Sequence, residues 1–225
     1  MTAIESAKNA IKKADAILIG ASNGLSIAEG YNIFADNDMF RRQFDEFIRK
    51  FSIRSVIDGS FYQYPSPVDR EAFMDTLVHH WVTNYQPSDV MKNLRSIVDD
   101  KPYFILTTNG DTHLEISGFD KSRIWEIEGT FVTGMHTPAD EDGKEGLLHD
   151  FIRKYSGDKL VILELGIGSR NTIIKQPLMQ LTAQLPNATY ITMNLPHEIF
   201  VPKEIKNQAI ELPGDISRTL QELVQ

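Results

Sequence analysis

Short apolar runs, separated by polar and glycine-containing turns, recur along this chain. Each is four to six residues long, which suits a strand buried on both faces of a parallel sheet and is too short for a buried helix. Helical patterns lie between several of these runs, and strands that alternate with helices favour a parallel α/β sheet. The runs lie at residues 16–19, 103–106, 124–127, 160–163, 188–193 and, more weakly, 209–212.

Two stretches of the chain carry apolar residues at helical spacing. Residues 3–13 predict an opening amphipathic helix. Residues 36–98 repeat aromatic and aliphatic side chains at three- and four-residue steps, over a length greater than a simple crossover needs. We therefore predict a single α/β domain over residues 1–225, with a Rossmann-like, doubly wound parallel sheet of about six strands. Its core is formed by residues 1–35 and 99–225, and the helical stretch is an inserted small subdomain.

The composition narrows the classes of function. With 41% hydrophobic and 24% charged residues among 225, the chain has the composition of an ordinary soluble globular protein. Its net charge of −8, without a basic run, argues against nucleic-acid binding. It has no cysteine, so disulfides and zinc–thiolate sites are excluded. The first residues mix acids and lysines before a short apolar run, so we expect no signal peptide, no membrane span and a cytoplasmic location.

Small polar residues follow three of the predicted strands, at residues 20–26, 107–111 and 166–170, and Asn194 follows a fourth. The carboxyl ends of parallel strands lie at one edge of a sheet, so we expect these clusters to meet. Glycine-rich turns expose backbone N–H groups to a pyrophosphate, and helix N-termini add to that attraction. Each cluster alone also fits a simple connection, and the Asn and Asp of the second also fit a helix cap. Together the clusters favour a nucleotide site.

The order of these motifs resembles the sirtuins, the NAD-consuming family of deacylases and ADP-ribosyl transferases. The resemblance spans nearly the whole chain, and the ordered set of motifs carries it rather than any single one. SNGLSIAEG at 22–30 is similar to the sirtuin pattern GAGxSxxSG, TNGD at 108–111 to QNID, GIGS at 166–169 to GTS, and MN at 193–194 to IN. LPGDISRTLQELV at 212–224 is similar to the closing segment of the family.

The resemblance implies that NAD binds across these motifs, with its adenine near the closing segment. It also implies that an aromatic side chain after the first cluster shields the ribose. The residues implied to bind the cofactor are Ser22, Asn23, Gly24, Ser26, Gly30, Phe34, Thr108, Asn109, Asp111, Gly166, Gly168, Ser169, Arg170, Asn194, Gly214 and Asp215.

The chain departs from the sirtuin pattern at three places. Glu128, in EIEG, stands where sirtuins carry their general-base histidine, in ELHG. The four cysteines of the sirtuin zinc module are missing, so residues 129–150 resemble a shortened remnant of it, and we expect no zinc or other metal. Phe34 lacks the Asp and Arg of the sirtuin segment PDFR. Stretches such as YFILTTNGDTH look closest to the macrodomain-linked class M branch of bacterial sirtuins, which implies protein ADP-ribosylation.

The resemblance assigns three residues to catalysis. Asn109 is implied to position the ribose and a water, and Asp111 to hydrogen-bond the carboxamide of nicotinamide. Cleavage of nicotinamide from NAD builds positive charge on the ribose, which buried polar groups can stabilise. Glu128 fits three roles: a base in place of the histidine, a carboxylate that stabilises this charge, or a side chain that only orders its loop.

The favoured interpretation is an enzyme that cleaves NAD and transfers ADP-ribose to a protein acceptor. Three alternatives stay open: an NAD-dependent deacylase with Glu128 as base, an NAD glycohydrolase, and a non-catalytic sensor of NAD or ADP-ribose. Through class M alone, the resemblance implies a lipoylated carrier protein as acceptor and a macrodomain protein as partner. His113 fits the site, the surface or a helix cap, and Arg170 fits a phosphate or a surface acid.

Overall fold

The computed structural model describes residues 1–133 and 143–225. The strands are β1 Ala16–Ala21, β2 Tyr103–Thr107, β3 Ile124–Glu126, β4 Leu160–Leu165, β5 Thr189–Asn194 and β6 Ala209–Pro213. They form a six-stranded sheet in the order β3-β2-β1-β4-β5-β6, and every neighbouring pair is parallel. The chain therefore builds one half of the sheet outward from β1, and then the other half on the opposite side of β1.

The predicted fold class is confirmed, since the sheet is parallel and helices cover both of its faces. Each run predicted as a strand contains one. β1 and β4 continue two residues past their predicted ends, because burial continues to Ala21 and Leu165. β3 stops one residue early, at Glu126, and β5 begins and ends one residue late.

Helices flank the sheet and fill the segment between its first two strands. They are α1 Ala3–Lys13, α2 Asn23–Ala28, α3 Asp38–Gln43, α4 Asp45–Phe51, α5 Val56–Phe61, α6 Pro67–Val78, α7 Asp89–Val98, α8 His113–Ile116, α9 Lys144–Tyr155, α10 Lys175–Gln184 and α11 Ile216–Val224. A π-helical turn, His79–Thr83, continues α6, and short 3-10 turns lie at Lys121–Arg123 and Lys203–Gln208. Polar side chains define where several helices begin; Thr2 and Glu5, for example, form a capping box at α1.

Two apolar layers enclose the sheet. On one face α1, α7 and α11 pack on the strands, and Leu94 and Leu220 are fully buried there. On the other face α9 and α10 contribute the buried side chains of Leu148 and Leu178. Because both faces are covered, the strands are mostly apolar rather than alternating, as their sequences predicted.

The helices between β1 and β2 bury an apolar cluster of their own. Aromatic rings dominate it: the ring centres of Phe44 and Phe73 lie 5.1 Å apart, and Trp81 and Phe131 also belong to it. α7 differs, because its apolar face packs into the layer formed by α1 and α11. The division of the chain into a core and an inserted subdomain remains a prediction.

Part of the stretch that resembles a shortened zinc module, 129–150, lies outside the described residues, namely 134–142. α9 begins within this stretch, and its Leu148 packs against the sheet. The comparison with a zinc module therefore remains a prediction. Among helices in the described ranges, none combines the length and the apolar character that crossing a membrane requires.

Candidate functional site

The ends of β1 and β4 approach each other so closely that only glycine fits between them. The N–H of Gly24, in the first turn of α2, donates to the carbonyl of Gly166, just after β4, at 3.0 Å. A Cβ added to Gly24 would lie 2.4 Å from the Cα of Gly166. Gly166 also has a φ of 62°, which favours glycine. At this contact, Gly24 and Gly166 present only backbone atoms to the wall of a cleft.

β5 and β6 end at the same edge of the sheet. The Nδ2 of Asn194 donates to the carbonyl of Ile167 at 2.9 Å, and the N–H of Gly214 donates to the carbonyl of Asn194 at 2.9 Å. Asp215 caps α11 by accepting from the N–H of Arg218 at 2.9 Å. The carboxyl ends of four strands are therefore tied to one another by hydrogen bonds.

A buried carboxylate supports the loop after β4. Glu164 is fully buried and accepts from the N–H of Ile167 at 3.1 Å. It also accepts from the hydroxyls of Tyr190 at 2.8 Å and Thr192 at 2.6 Å. The Nζ of Lys175 lies 3.1 Å from this carboxylate and 3.1 Å from the carbonyl of the same loop. The sequence does not reveal this network, because Glu164 follows the predicted run at 160–163 and nothing along the chain pairs it with residues on other elements.

These strand ends frame a cleft of about 500 Å³. Pockets for small molecules and cofactors span roughly 300–1,000 Å³. Three polar side chains that the sequence analysis missed also line the cleft, Asn171, His197 and Glu198. Their one sequence signal is their position just after two of the polar clusters. The predicted cofactor-binding residues that line the cleft are Ser22, Asn23, Gly24, Phe34, Gly166, Gly168, Asn194, Gly214 and Asp215.

Asn109 and Asp111, after β2, form a buried polar cluster beside the cleft. The Nδ2 of Asn109 donates to the carbonyl of Ser22 at 3.1 Å and to the Oγ of Ser26 at 3.0 Å. The hydroxyl of Ser26 donates in turn to Asp111 at 2.5 Å. The Oδ1 of Asn109 is buried and has no hydrogen-bond partner among the described residues. Because buried polar atoms are nearly always paired, this oxygen is a candidate contact for a ligand.

The turn that carries Glu128 packs against the same loop. The N–H of Phe131 donates to the carbonyl of Gly110 at 2.8 Å. A Cβ added to Gly110 would lie 3.0 Å from the carbonyl oxygen of Gly129. Glu128 is half-buried, so it lies near the polar cluster without being enclosed by it.

Glu126, the last residue of β3, has an altered acidity. Burial, followed by the charges of Glu115 and Asp111, raises the pKa of Glu126 from 4.5 to about 7. A carboxyl group with this pKa exchanges its proton near neutrality. The comparison of EIEG with the sirtuin motif points to Glu128, and nothing in the sequence distinguishes Glu126.

His113 neither lines the cleft nor lies at the surface. Its side chain is fully buried, with Nδ1 3.1 Å from Glu29 and 3.8 Å from Asp111. Burial by itself lowers the pKa of His113, but the charges of Asp111 and Glu29 and the carbonyl of Trp81 outweigh it and raise the pKa above its usual value. The sequence left the place of His113 open, because nothing along the chain pairs it with Glu29.

The remaining predicted residues lie away from the cleft wall. Thr108 places its Oγ1 2.9 Å from the Oγ of Ser22 and so supports the wall from behind. Gly30 follows α2 with a φ of 98°. Ser169 and Arg170 are exposed at the outer end of the loop after β4. Within the part of the chain that the structure describes, no three His, Asp or Glu side chains are grouped as metal ligands would be.

Several Sir2 proteins of known structure share this arrangement of strands and helices. A Sir2 homologue in complex with NAD matches over 98% of this chain and 92% of its own, with a TM-score of 0.58 and 16% sequence identity. A second structure, reported under the subject of the structural basis of sirtuin substrate affinity, matches over 99% of this chain and 98% of its own chain. Its TM-score is 0.57 and its sequence identity is 11%. This chain has the Sir2 fold.

A curated relative extends the comparison beyond the Sir2 fold to the sequence. The protein ADP-ribosyltransferase of Staphylococcus aureus (strain Mu50 / ATCC 700699) is 24% identical over 93% of this chain and 83% of its own length. No family model matches the chain. Both kinds of similarity cover most of the chain, so neither is confined to the glycine-rich turns of the Sir2 fold.

Proposed function

We propose that this chain is an NAD-dependent mono-ADP-ribosyltransferase, which releases nicotinamide from NAD and transfers ADP-ribose to a protein acceptor. One observation carries the proposal: the buried Oδ1 of Asn109 has no partner among the described residues, and Asn109 belongs with Ser26 and Asp111 to a polar cluster beside the glycine-lined cleft of a Sir2 fold. The similarity to a relative named protein ADP-ribosyltransferase supports it. So does the structural match to a Sir2 homologue in complex with NAD.

The side chains around the cleft fit the chemistry of NAD. Gly24 and Gly166 line the cleft with backbone atoms, which a phosphate can contact. Asn194 and Asp215 bring oxygens that can accept from the hydroxyls of a ribose. Phe34 is 56% exposed on the cleft wall, which leaves its ring free to cover part of a nucleotide.

Asn109 and Asp111 act by orientation and charge in this proposal. Bound NAD supplies the ADP-ribosyl group, with nicotinamide as its leaving group. Asn109 holds the ribose through Oδ1, because Ser22 and Ser26 already hold its Nδ2. Asp111 accepts from the amide of nicotinamide, since each carboxylate oxygen can accept more than one hydrogen bond. Both groups stabilise the positive charge that develops as the glycosidic bond breaks.

Glu128 is the third residue in the proposed site. Its turn packs on Gly110, in the loop that carries Asn109 and Asp111. We assign it the stabilisation of positive charge on the ribose. Glu128→Gln then lowers the rate of nicotinamide release, whereas a side chain that only orders its turn tolerates the change.

The acceptor and the partners belong to the same proposal. A lipoylated carrier protein as acceptor and a macrodomain protein as partner rest on the class M resemblance alone. The absence of zinc and a cytoplasmic location are also part of the proposal; for zinc, the support is that the sequence has no cysteine.

Calorimetric NAD binding and nicotinamide release, measured on one preparation, test the proposal. We expect wild-type protein to bind NAD and to release nicotinamide. Asn109→Ala should lower the release rate by about 10²-fold, because the ribose is no longer held. Asn187→Ala is the matched control, since Asn187 is exposed at the amino end of β5 and bonds only the carbonyl of Gly157. Equal rates in both variants would refute the role of Asn109.

The same preparation separates the three alternatives. A deacylase would release an acyl group from an acyl-lysine peptide, and Glu128→His would raise that rate. A glycohydrolase would release nicotinamide at full rate without any acceptor. A sensor would bind NAD tightly and release none, with or without an acceptor.

A further inference from the structure

His113 is buried with an acceptor at each of its ring nitrogens. Nδ1 lies 3.1 Å from Oε2 of Glu29, and Nε2 lies 2.7 Å from the backbone carbonyl of Trp81. The other oxygen of Glu29 accepts from the hydroxyls of Tyr85 at 2.5 Å and Ser88 at 2.6 Å, as an ionised carboxylate does. Neutral imidazole has one N–H, and only the imidazolium donates from both nitrogens. The contacts of His113 therefore fit its charged form.

The local helix geometry makes the carbonyl of Trp81 available. In an α-helix it would accept from the N–H of Tyr85, four residues on. Here that N–H donates to the carbonyl of Val82 at 3.2 Å, because α6 ends in a π-helical turn. The carbonyl of Trp81 is instead directed at His113. π-helical turns often occur at functional sites.

The groups that face His113 come from three parts of the chain. Asp111 lies 3.8 Å from Nδ1, and its own Oδ1 accepts from the backbone N–H of His113 at 3.1 Å. Glu29 follows α2. The ring of Tyr85 stacks on the imidazole at 3.6 Å, and the ring of Tyr31 meets its edge at 4.6 Å. Two carboxylates and two tyrosines thus surround one imidazolium.

We propose that His113 and Glu29 are positioning residues for Asp111, and this rests on the proposed function. The buried imidazolium lies between Asp111, in the polar cluster beside the cleft, and its own hydrogen-bond partners Glu29 and Trp81. The carboxylate of Glu29 also accepts hydrogen bonds from Tyr85 and Ser88, in the segment that leads into α7. Asp111 is thereby held at a set distance from Ser26 and Asn109, without His113 touching the substrate.

The charge of His113 can be measured without any turnover. Long-range proton–nitrogen spectra of the histidine rings, assigned with His113→Gln, separate the imidazolium from either neutral tautomer. We expect both nitrogens of His113 to be protonated at pH 7.5. A neutral tautomer at this pH would overturn the proposal, whatever the enzyme does.

Kinetics then test whether the charge positions Asp111. We expect His113→Gln to lower the kcat for nicotinamide release by about 10²-fold with KM within about twofold, as a misplaced group does. The activity of the wild type should fall as the pH rises through the raised pKa of His113, and this alkaline limb should vanish in His113→Gln. Glu29→Gln, which keeps the shape but removes the charge, should move the limb to lower pH.

His149→Gln is the control, because His149 is exposed on α9 and lies outside this cluster. Wild-type kcat and an unchanged pH profile in His113→Gln would refute the positioning role even with a charged ring. A wild-type protein that releases no nicotinamide would count against the proposed function, while a charged ring in the spectra would still support the inferred cluster.

Discussion

The two polar atoms of the Asn109 side chain differ in their hydrogen bonding. Its Nδ2 has two acceptors, whereas its Oδ1 is buried without a partner among the described residues. An unsatisfied buried acceptor costs roughly 1–3 kcal/mol. In the proposed complex, a ribose hydroxyl donates to this oxygen and recovers that cost, so NAD binding should stabilise the site.

Glu126 provides a prediction at the residue scale that does not depend on catalysis. Its pKa of about 7 in the folded protein exceeds the ordinary 4.5, so the folded state binds the proton more tightly than the unfolded state. The free energy of unfolding should therefore fall as the pH rises from about 4.5 to about 7 and then level off. Discounted for partial exposure, the loss is about 2 kcal/mol.

Glu126→Gln removes this dependence. The variant should match the wild type near pH 5 and exceed its free energy of unfolding by about 2 kcal/mol near pH 8. Urea unfolding at the two pH values measures this, with Glu204→Gln, an exposed acid, as the control. A variant that is no more stable than the wild type at pH 8 would contradict the raised pKa.

Single residues were predictable from the sequence only where a strand end placed them. Asn109 and Asp111 follow an apolar run, so their gathering near Ser22 and Ser26 could be expected. His113 and Glu29 could not be paired, because 84 residues separate them along the chain and no pattern links them. Partners in a buried polar cluster depend on tertiary packing, which periodicity does not describe.

The close approach between the turns that follow β1 and β4 provides a prediction at the element scale. Gly24→Ala places a Cβ 2.4 Å from the Cα of Gly166, and backbone must move to relieve the contact. We expect the free energy of unfolding to fall by about 2–3 kcal/mol. Gly168→Ala is the control, since its Cβ would meet only Glu198 at 3.7 Å. Equal losses in both variants, measured by urea unfolding, would contradict the close approach.

The buried ion pair of Lys175 and Glu164, beneath the loop after β4, provides a second prediction at this scale. Lys175→Met leaves Glu164 buried without its cation, which should lower the free energy of unfolding by about 3 kcal/mol. Replacing both, as Glu164→Gln with Lys175→Met, should restore part of that loss, because no buried charge remains. Lys159→Met, at an exposed lysine before β4, controls for the loss of charge. If Lys175→Met were as stable as Lys159→Met, the buried ion pair would contribute nothing to stability.

Strands were predicted more reliably than the turns that follow them. The run LVIL at 160–163 predicts β4, and the structure extends the strand through Glu164 to Leu165. The π-helical turn at His79–Thr83 leaves no trace in the periodicity, since it differs from an α-helix by one residue per turn in its hydrogen bonds. Its effect on the carbonyl of Trp81 is visible only in three dimensions.

The whole molecule brings distant clusters to one edge of one sheet. β1 lies at the centre with β2 on one side and β4 on the other, so the polar residues after these strands meet although the strands are far apart in sequence. The alternation of strands and helices made this edge predictable. The order of the strands and the volume of the cleft were not, since both depend on how the crossovers pack.

The proposed reaction transfers the ADP-ribosyl group from NAD to a protein acceptor. The most direct measurement follows that group, with NAD labelled in its adenine ring, and compares free ADP-ribose with protein-bound label against nicotinamide released. With a lipoylated carrier protein present, we predict protein-bound label that matches the nicotinamide and is lost in Asn109→Ala. Label found only as free ADP-ribose, or no release of nicotinamide at all, would contradict the account.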